Sequence, residues 1–220
     1  KSRKSDAFKQ PRVIACCGHM VTVSGLERMT FEVFRALREN GGSVHCILNS
    51  WENHRIVPLV EQIGATWSTG YYWHSFDRHT RSPDKIAVMA WDICATSLGL
   101  LMDAFKFRAT DVLLPEFMTV VRNAPALLIL RALGTRITLR VGNAPDQGPF
   151  YQKLWSSLID RCVDRYVCNS DFTRQELLRH GIARHKTSRI YNTVPTRNIR
   201  APLAMEEKEI LPSQEKAGSR

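Results

Sequence analysis

The sequence predicts a three-layer α/β/α domain built on a mostly parallel sheet of about seven strands. Short apolar runs alternate with segments of helical apolar spacing along residues 12–195. Glycines follow two of these helical segments where C-caps belong, at Gly134 and Gly181. The 220 residues are 44% hydrophobic and 24% charged, which suffices for one substantial core. Because parallel strands need crossover helices, this alternation indicates a sheet covered on both faces.

The first third of the chain has a βαβαβ pattern. Strands are expected at 13–17, 44–48 and 65–68, where apolar residues run together. Between the first two, apolar residues from Leu26 to Leu37 recur at helical spacing, and residues 40–42 (Asn-Gly-Gly) stop that helix. A short helix at 56–63 ends at Gly64. This segment therefore predicts the start of a parallel sheet.

The rest of the chain continues the alternation after an irregular loop. Residues 71–81 are aromatic and basic without a clear period. Ser82-Pro83-Asp84 then supplies an N-cap, a first-turn proline and an acid, which predicts a helix to about Arg108. Further strands are expected at 111–114, 137–141, 165–168 and 188–191, and further helices at about 119–133, 148–163 and 172–180. The prediction is seven strands in total.

Charge is unevenly placed along the chain. The net charge is +10, of which residues 1–12 carry +4 and residues 161–200 carry +6. We predict a basic tail at 1–11, one domain at 12–197, and a polar linker at 198–220 that leads toward a C-terminal domain absent from this sequence. The basic regions suit an anionic membrane surface or a phosphate-bearing substrate, and nucleic acid is not expected as a partner.

Cysteine usage and hydropathy predict a cytoplasmic protein. No uninterrupted apolar run approaches the roughly 18–20 residues of a bilayer span, and the N-terminus lacks the apolar stretch of a signal peptide. No C-x-x-C pair occurs among the six cysteines, which favours buried reduced thiols over a metal site. We expect a cytoplasmic location, with peripheral contact at the inner face of the membrane through the basic regions.

Two segments resemble glycosyltransferase family 4. One runs from Val163 through Asn169-Ser170-Asp171 to Gly181-Ile182 and closes with Arg189-Ile-Tyr-Asn-Thr-Val-Pro195. The other is Ser24-Gly25-Leu26-Glu27, where the family usually has Gly-Gly-x-Glu. The resemblance implies one half of a GT-B fold, which pairs two Rossmann-like domains across a cleft. This chain would be the N-terminal half, which holds the acceptor, while the second half holds the nucleotide sugar.

Three residues are candidates for catalysis: Asn143, Glu116 and His19. Glu116 and Asn143 follow strands at the carboxyl edge, where open α/β sheets bind ligands. The resemblance bears on Asn143, because family members carry a histidine past that strand; either Asn143 supplies the polar contact or the role is empty. His19 follows the first strand and is a candidate general base. The competing interpretations are a helix N-terminal acid for Glu116 and a plain loop histidine for His19.

Binding residues are expected in the loops around the same edge. Gly25 opens a helix whose N-terminus suits a phosphate, although a tight turn explains the glycine equally well. Ser170 is also a candidate N-cap, and Asn192 a candidate turn residue. The aromatic and basic loop also contains acceptor candidates, unless it is a solvated connector. The predicted donor-binding residues are Ser24, Gly25, Leu26, Gly142, Ser170 and Asn192, and the predicted acceptor-binding residues are Tyr72, Trp73, Arg78 and Arg81.

The function favoured by the sequence is sugar transfer. The resemblance implies a retaining transferase that moves a sugar from a nucleotide sugar to a carbohydrate or lipid-linked acceptor in polysaccharide biosynthesis, without a metal or other cofactor. The absence of G-x-G-x-x-G and G-x-x-x-x-G-K-[ST] argues against a dehydrogenase and a P-loop ATPase. A sugar-nucleotide epimerase of the same fold and a non-catalytic binding domain are the alternatives.

Overall fold

Seven strands form a single, entirely parallel sheet in the computed structural model, which describes residues 10–23, 25–70 and 83–191. Their order across the sheet is β3-β2-β1-β4-β5-β6-β7. This sheet confirms the predicted fold class. The strands are β1 (Arg12–Cys16), β2 (Ser43–Leu48), β3 (Thr66–Thr69), β4 (Asp111–Leu114), β5 (Arg136–Val141), β6 (Arg165–Cys168) and β7 (Thr187–Arg189).

Helices connect the strands nearly as the sequence predicts. A short 3-10 helix that was not predicted (Arg184–Lys186) precedes β7, and at 148–163 a π-helical segment (Leu154–Ile159) interrupts the expected single helix. This segment buries both Trp155 and Ile159, and apolar spacing alone does not distinguish such a turn from a regular one. The helices are α1 (Gly25–Glu39), α2 (Val57–Gln62), α3 (Pro83–Phe107), α4 (Phe117–Ala132), α5 (Pro149–Lys153), α6 (Asp160–Cys162) and α7 (Asp171–Arg179).

Each face of the sheet has its own apolar core. On one face, α3, α4, the π-helical segment and α7 bury the side chains of Leu100, Leu127, Trp155 and Leu177 against the strands. On the other face, α1 and α2 bury Phe34 and other side chains. The domain therefore has three layers, with a helical layer on either side of the sheet.

The second face is covered unequally. Its helices α1 and α2 lie over β1 to β3, and a cavity of about 390 Å³ opens beside α1 over β4, β5 and β6. Val33 and Leu37 of α1 form one wall of this cavity. Three arginines, Arg136, Arg140 and Arg165, also line it. This cavity is thus on an open sheet face, apart from the small crevice between β1 and β4.

The chain reverses its direction across the sheet between β1 and β4. After β1 it moves outward to β2 and β3, and after β4 it moves the opposite way to β5, β6 and β7. β1 and β4 are themselves paired, with Val13 opposite Asp111 and Ala15 opposite Leu113. The loops that leave their carboxyl ends therefore diverge and open a crevice, which is where doubly wound sheets bind ligands.

The sequence predicted buried, reduced cysteines and no apolar run long enough to span a bilayer, and both expectations can be compared with the fold. Five of the six cysteines are buried and free, while Cys94 on α3 is free and exposed. By length and composition, the stretch Ile86–Phe107 of α3 could cross a membrane, with a mean hydropathy of 1.5. Asp92 and Asp103 interrupt the apolar sequence of this helix. Its side chains Leu100 and Ala104 belong to the buried core, so α3 is part of the domain.

Candidate functional site

The crevice between β1 and β4 brings two of the predicted catalytic residues together. His19 follows β1 and Glu116 follows β4, and His19 Nε2 lies 3.3 Å from Glu116 Oε1. They share a small cavity of about 40 Å³. The residues that line it are Cys16, Cys17, His19, Met20, Glu27, Pro115, Glu116 and Thr119.

Backbone hydrogen bonds fix the loop that carries His19. The Met20 N–H donates to Cys17 O at 3.0 Å and closes a tight turn around His19. The amide of buried Asn49, just after β2, donates from Nδ2 to Met20 O at 3.3 Å. The loop is therefore tied to β2, and the imidazole is only 22% exposed.

Glu116 is placed by the start of α4. It occupies the N-cap position with an extended backbone, yet its side chain makes no capping hydrogen bond. The carboxyl group instead reaches toward His19 and remains 37% exposed. Glu116 therefore lies at a helix N-terminus, as the alternative interpretation of the sequence predicted. Because its side chain does not cap the helix, the carboxyl group is available for a ligand.

Burial disfavours the charged form of both groups of this pair. Desolvation, and secondarily the positive charge of Arg122, lower the pKa of His19 from 6.5 to about 4. Desolvation raises the pKa of Glu116, opposed by Arg122 and reinforced by Glu27. At neutral pH the imidazole is therefore uncharged, and the contact is not an ion pair despite its length.

Sequence reasoning missed the charged residues behind this pair. Arg122 of α4 is 1% exposed, and its Nη1 lies 3.5 Å from Asp92 Oδ2 on α3. Glu27, in the first turn of α1, is buried and lines the small cavity. Lone charges inside apolar runs, such as Arg122 within Met118–Ile129, were a usable signal, because buried charges are retained only when they are paired.

Arg140 is the second positive charge that the sequence reasoning missed near this edge. It lies in the interior strand β5 and is buried, and desolvation lowers its pKa while Glu27 opposes that shift. Its side chain also lines the large cavity on the open face. Arginine inside a strand that is otherwise largely apolar was the available sequence signal.

The other candidates on β5 and β6 lie apart from the small cavity. Asn143 is exposed beyond β5 and does not line it. Gly142 O accepts a hydrogen bond from Asn169 Nδ2 at 2.8 Å. Ser170 is the N-cap of α7, and its Oγ accepts from the Thr173 N–H at 3.1 Å. Ser170 therefore has the structural role that the sequence offered as the alternative, and a ligand role for it stays a prediction.

Gly25 begins α1 beside open space. A Cβ placed on it would meet no atom within 4 Å, and its φ is not positive. A tight turn therefore does not explain this glycine. Of the other predicted residues, Leu26 is described only as part of α1. Ser24, Tyr72, Trp73, Arg78, Arg81 and Asn192 lie outside the described residues.

The fold and the switch-point crevice define the fold class: the described residues have the Rossmann-like architecture of one half of a GT-B fold. A glycosyltransferase from Rickettsia africae has a similar structure, with a TM-score of 0.65, 16% identity, and coverage of 94% of this chain and 51% of that one. HepE from Anabaena, solved with UDP and glucose, gives a TM-score of 0.59 at 12% identity and covers 84% and 45%.

An epimerase shares this architecture. The UDP-GlcNAc 2-epimerase from Neisseria meningitidis, solved with UDP-GlcNAc, has a TM-score of 0.54 at 12% identity, and the match covers 90% of this chain and 51% of that one. No protein-family model and no curated sequence matches the chain. The chain spans about half the length of these solved structures. At such identities the similarity establishes the fold, and membership of glycosyltransferase family 4 stays a prediction.

Proposed function

We propose that this chain is the N-terminal, acceptor-binding half of a GT-B glycosyltransferase that uses a nucleotide sugar. The observation that carries the proposal is the contact between His19 and Glu116 at the switch point of the sheet. The proposal extends to a retaining transferase of family 4, with the donor held mainly by a second domain. The similarity to glycosyltransferases of known structure supports it at the level of fold.

The chemistry of the pair suits a hydroxyl acceptor. The raised pKa of Glu116 makes its carboxylate a stronger base than an exposed glutamate, so it can accept the proton of an attacking hydroxyl. The neutral His19 can donate a hydrogen bond to Glu116 and orient it, because its lowered pKa keeps it uncharged at pH 7. We assign proton acceptance to Glu116 and the positioning role to His19.

The start of α1 suits the diphosphate of the donor. The first N–H groups of a helix and its dipole attract a phosphate, and α1 is a 15-residue helix that begins at the same edge of the sheet. The open space at Gly25 leaves room for a ligand to approach the backbone. We propose that Gly25 contacts the donor when the second domain closes over this edge.

Site-directed variants of the full-length protein test the proposal. The protein is expressed with all sequence downstream of Arg220, and acceptor-dependent release of nucleotide is measured. Glu116→Gln is expected to lower kcat by about 10²- to 10⁴-fold without unfolding the protein. Glu39→Gln is the matched control, because Glu39 is exposed at the far end of α1. Wild-type turnover of Glu116→Gln would remove this residue from the mechanism.

Asn143→Ala tests the second candidate on this edge. It is expected to lower turnover without unfolding the protein, because Asn143 is exposed beyond β5 and contributes no core packing. A variant with unchanged kcat and KM would show that Asn143 contacts neither substrate. The thermal unfolding midpoint serves as the control for an intact fold.

Calorimetry on the isolated chain tests the division of labour between domains. The 220-residue chain is expected to bind UDP-glucose weakly or not at all, because the donor site would need the second domain. Tight binding of the nucleotide sugar by this chain alone would contradict the assignment as the acceptor half.

Epimerisation is the second candidate, favoured by the similarity to the UDP-GlcNAc 2-epimerase of Neisseria meningitidis. The two functions differ in their products. A transferase releases nucleotide only with an acceptor present, whereas an epimerase changes the sugar of UDP-GlcNAc without one. Product analysis by NMR in the absence of acceptor therefore separates them.

A further inference from the structure

The outer face of α3 is apolar along nearly its whole length. Its side chains are between 58% and 67% exposed, although each is large and hydrophobic. We define this outer face by its five residues: Val88, Trp91, Leu98, Met102 and Phe105. Exposed hydrophobic side chains are ordinary when scattered singly, but a continuous row of them indicates an interaction surface.

The two charged residues within this stretch point into the domain. Asp92 is buried, and its Oδ2 lies 3.5 Å from Arg122 Nη1 on α4. Asp103 accepts a hydrogen bond from Ser68 Oγ at 2.6 Å. Between Ile86 and Phe105 no charged side chain remains on the outer face. A helix exposed to water has the reverse arrangement, with its charges outward.

Residue spacing places this row on one side of the helix. Val88, Trp91, Leu98, Met102 and Phe105 are separated by three, four or seven residues, which is the spacing of a single helical stripe. The stripe is about 25 Å long at 1.5 Å per residue. On α4, which packs against α3, Leu128 and Ile129 are also 43% and 46% exposed.

The geometry favours a helix that lies on a membrane rather than one that crosses it. The opposite side of α3 packs into the core through Leu100 and Ala104, which are 1% and 3% exposed. Withdrawing α3 into a bilayer would expose that core. An apolar face on a helix that is anchored in the protein can instead be buried at the boundary of headgroups and acyl chains.

Charge decides between a bilayer and a second copy of the chain. Two copies that each carry +10 repel one another, whereas an anionic bilayer attracts this protein. The segment directly before α3 contains Tyr72, Trp73, Arg78 and Arg81, a composition typical of interfacial anchors. Trp91 is also the most exposed side chain of the outer face, at 67%.

We propose that the outer face of α3 is a docking surface for an anionic lipid bilayer. The N-terminus of α3 lies at the carboxyl edge of the sheet, the edge that carries His19 and Glu116, because α3 follows β3. Docking through α3 therefore brings that edge close to the lipid surface. The docking itself does not depend on the proposed glycosyl transfer.

Vesicle flotation tests the surface. The chain is mixed with phosphatidylcholine vesicles that contain or lack phosphatidylglycerol, and the bound fraction is measured. The double variant Leu98→Glu/Met102→Glu is expected to lower the partition coefficient for anionic vesicles at least about tenfold. The matched control is Val33→Glu/Ala36→Glu, which adds the same two charges at exposed positions of α1, on the opposite face of the sheet. This control is expected to bind like the wild type.

Tryptophan fluorescence supplies a readout that does not depend on a charged variant. Brominated phospholipids are expected to quench the wild-type protein, and Trp91→Phe is expected to lose the part of that quenching that Trp91 contributes. Three results would overturn the proposal: no flotation of the wild type, equal flotation of the α3 variant, or no quenching. A lipid-free dimer that the α3 substitutions dissociate would also overturn it, because the outer face would then bind a second copy.

Discussion

The crossover helices α1 and α3 pack on opposite faces of the same sheet and are built in opposite ways. α1 buries Phe31 and Phe34 and presents Glu32 and Arg35 outward, with Arg35 Nη1 donating to Glu32 Oε1 at 2.9 Å. α3 buries Asp92 and presents an apolar row to the outside. The first arrangement suits water and the second does not, so one sheet carries helices adapted to two different environments.

Polar packing between α3 and α4 explains how α3 can bury a charged residue and expose apolar ones. Thr96 and Ser97 are buried, and their hydroxyls donate to Arg122 O at 3.1 and 3.4 Å. The Asp92–Arg122 pair adds a buried charge contact at the same interface. The inner side of α3 is thus held partly by hydrogen bonds, whereas the inner side of α1 is held by aromatic packing.

The largest expected effect comes from charges on the two helices. Asp92→Ala should lower the free energy of unfolding by about 3–5 kcal/mol, because it removes the buried carboxylate that lies 3.5 Å from the buried Arg122 guanidinium. Glu32→Ala on α1 should change it by less than about 0.5 kcal/mol, since the Glu32–Arg35 pair is partly exposed. Urea unfolding measures both. A cost below about 1 kcal/mol for Asp92→Ala would contradict the burial of this charge.

The next effect compares two leucines on α3. Leu100→Ala should cost about 2–4 kcal/mol, because Leu100 is 1% exposed in the core. Leu98→Ala should cost less than about 1 kcal/mol, because Leu98 is 58% exposed. Thermal unfolding of the two variants decides the orientation of the helix. Equal costs would show that the outer face is buried in the free protein.

A smaller effect on stability concerns the titration of His19, which lies at the carboxyl edge of the sheet. His19 has a pKa lowered to about 4, so between pH 6.5 and pH 4 the unfolded chain binds a proton that the folded chain does not. Stability should therefore fall as the pH drops through this window, by at most about 3 kcal/mol. His19→Gln should remove this part of the loss. His45 also has a pKa lowered by burial, and it acts equally in both proteins.

Urea unfolding of the wild type and His19→Gln at several pH values between 4 and 7 measures that contribution. Once the difference at pH 7 is subtracted, the two stability curves should coincide above about pH 6.5, separate as the pH falls toward 4, and run parallel below pH 4. Parallel curves over the whole range would show that His19 titrates as in the unfolded chain.

The smallest expected effect comes from exchanging outer-face residues between the helices. Met102→Lys on α3 and Arg35→Met on α1 should each change the free energy of unfolding by less than about 0.5 kcal/mol, because Met102 is exposed and Arg35 is partly exposed. Solubility should respond in opposite directions, rising for Met102→Lys and falling for Arg35→Met. Denaturant unfolding and precipitation with ammonium sulfate are the two measurements.

Local sequence signals predicted most of the fold. Apolar runs marked all seven strands to within two residues at either end, and Gly134 and Gly181, both with positive φ, ended helices as expected. The π-helical segment escaped prediction because its apolar spacing resembles that of a regular helix. The order of the strands across the sheet was also not predicted, because the pairing of β1 with β4 joins segments about 100 residues apart in the sequence.

The meeting of two candidate residues could be predicted in part. Position after a strand was enough to single out His19 and Glu116, since carboxyl ends of parallel strands share one edge. Their 3.3 Å contact depends on the pairing of β1 with β4. The effect of Arg122 on the pKa values of His19 and Glu116 could not be predicted from the sequence. It depends on the packing of α4, which places a buried guanidinium behind both residues.

The sequence by itself determined the kind and order of the elements, because helix spacing, strand runs and capping residues act over a few neighbouring residues. Only the tertiary structure decided which loops meet at the crevice and which side of α3 faces outward. Asp92 and Val88 lie four residues apart on one helix, and the packing of α4 turns the first inward and leaves the second exposed. That choice depends on contacts between distant segments, which no local pattern contains.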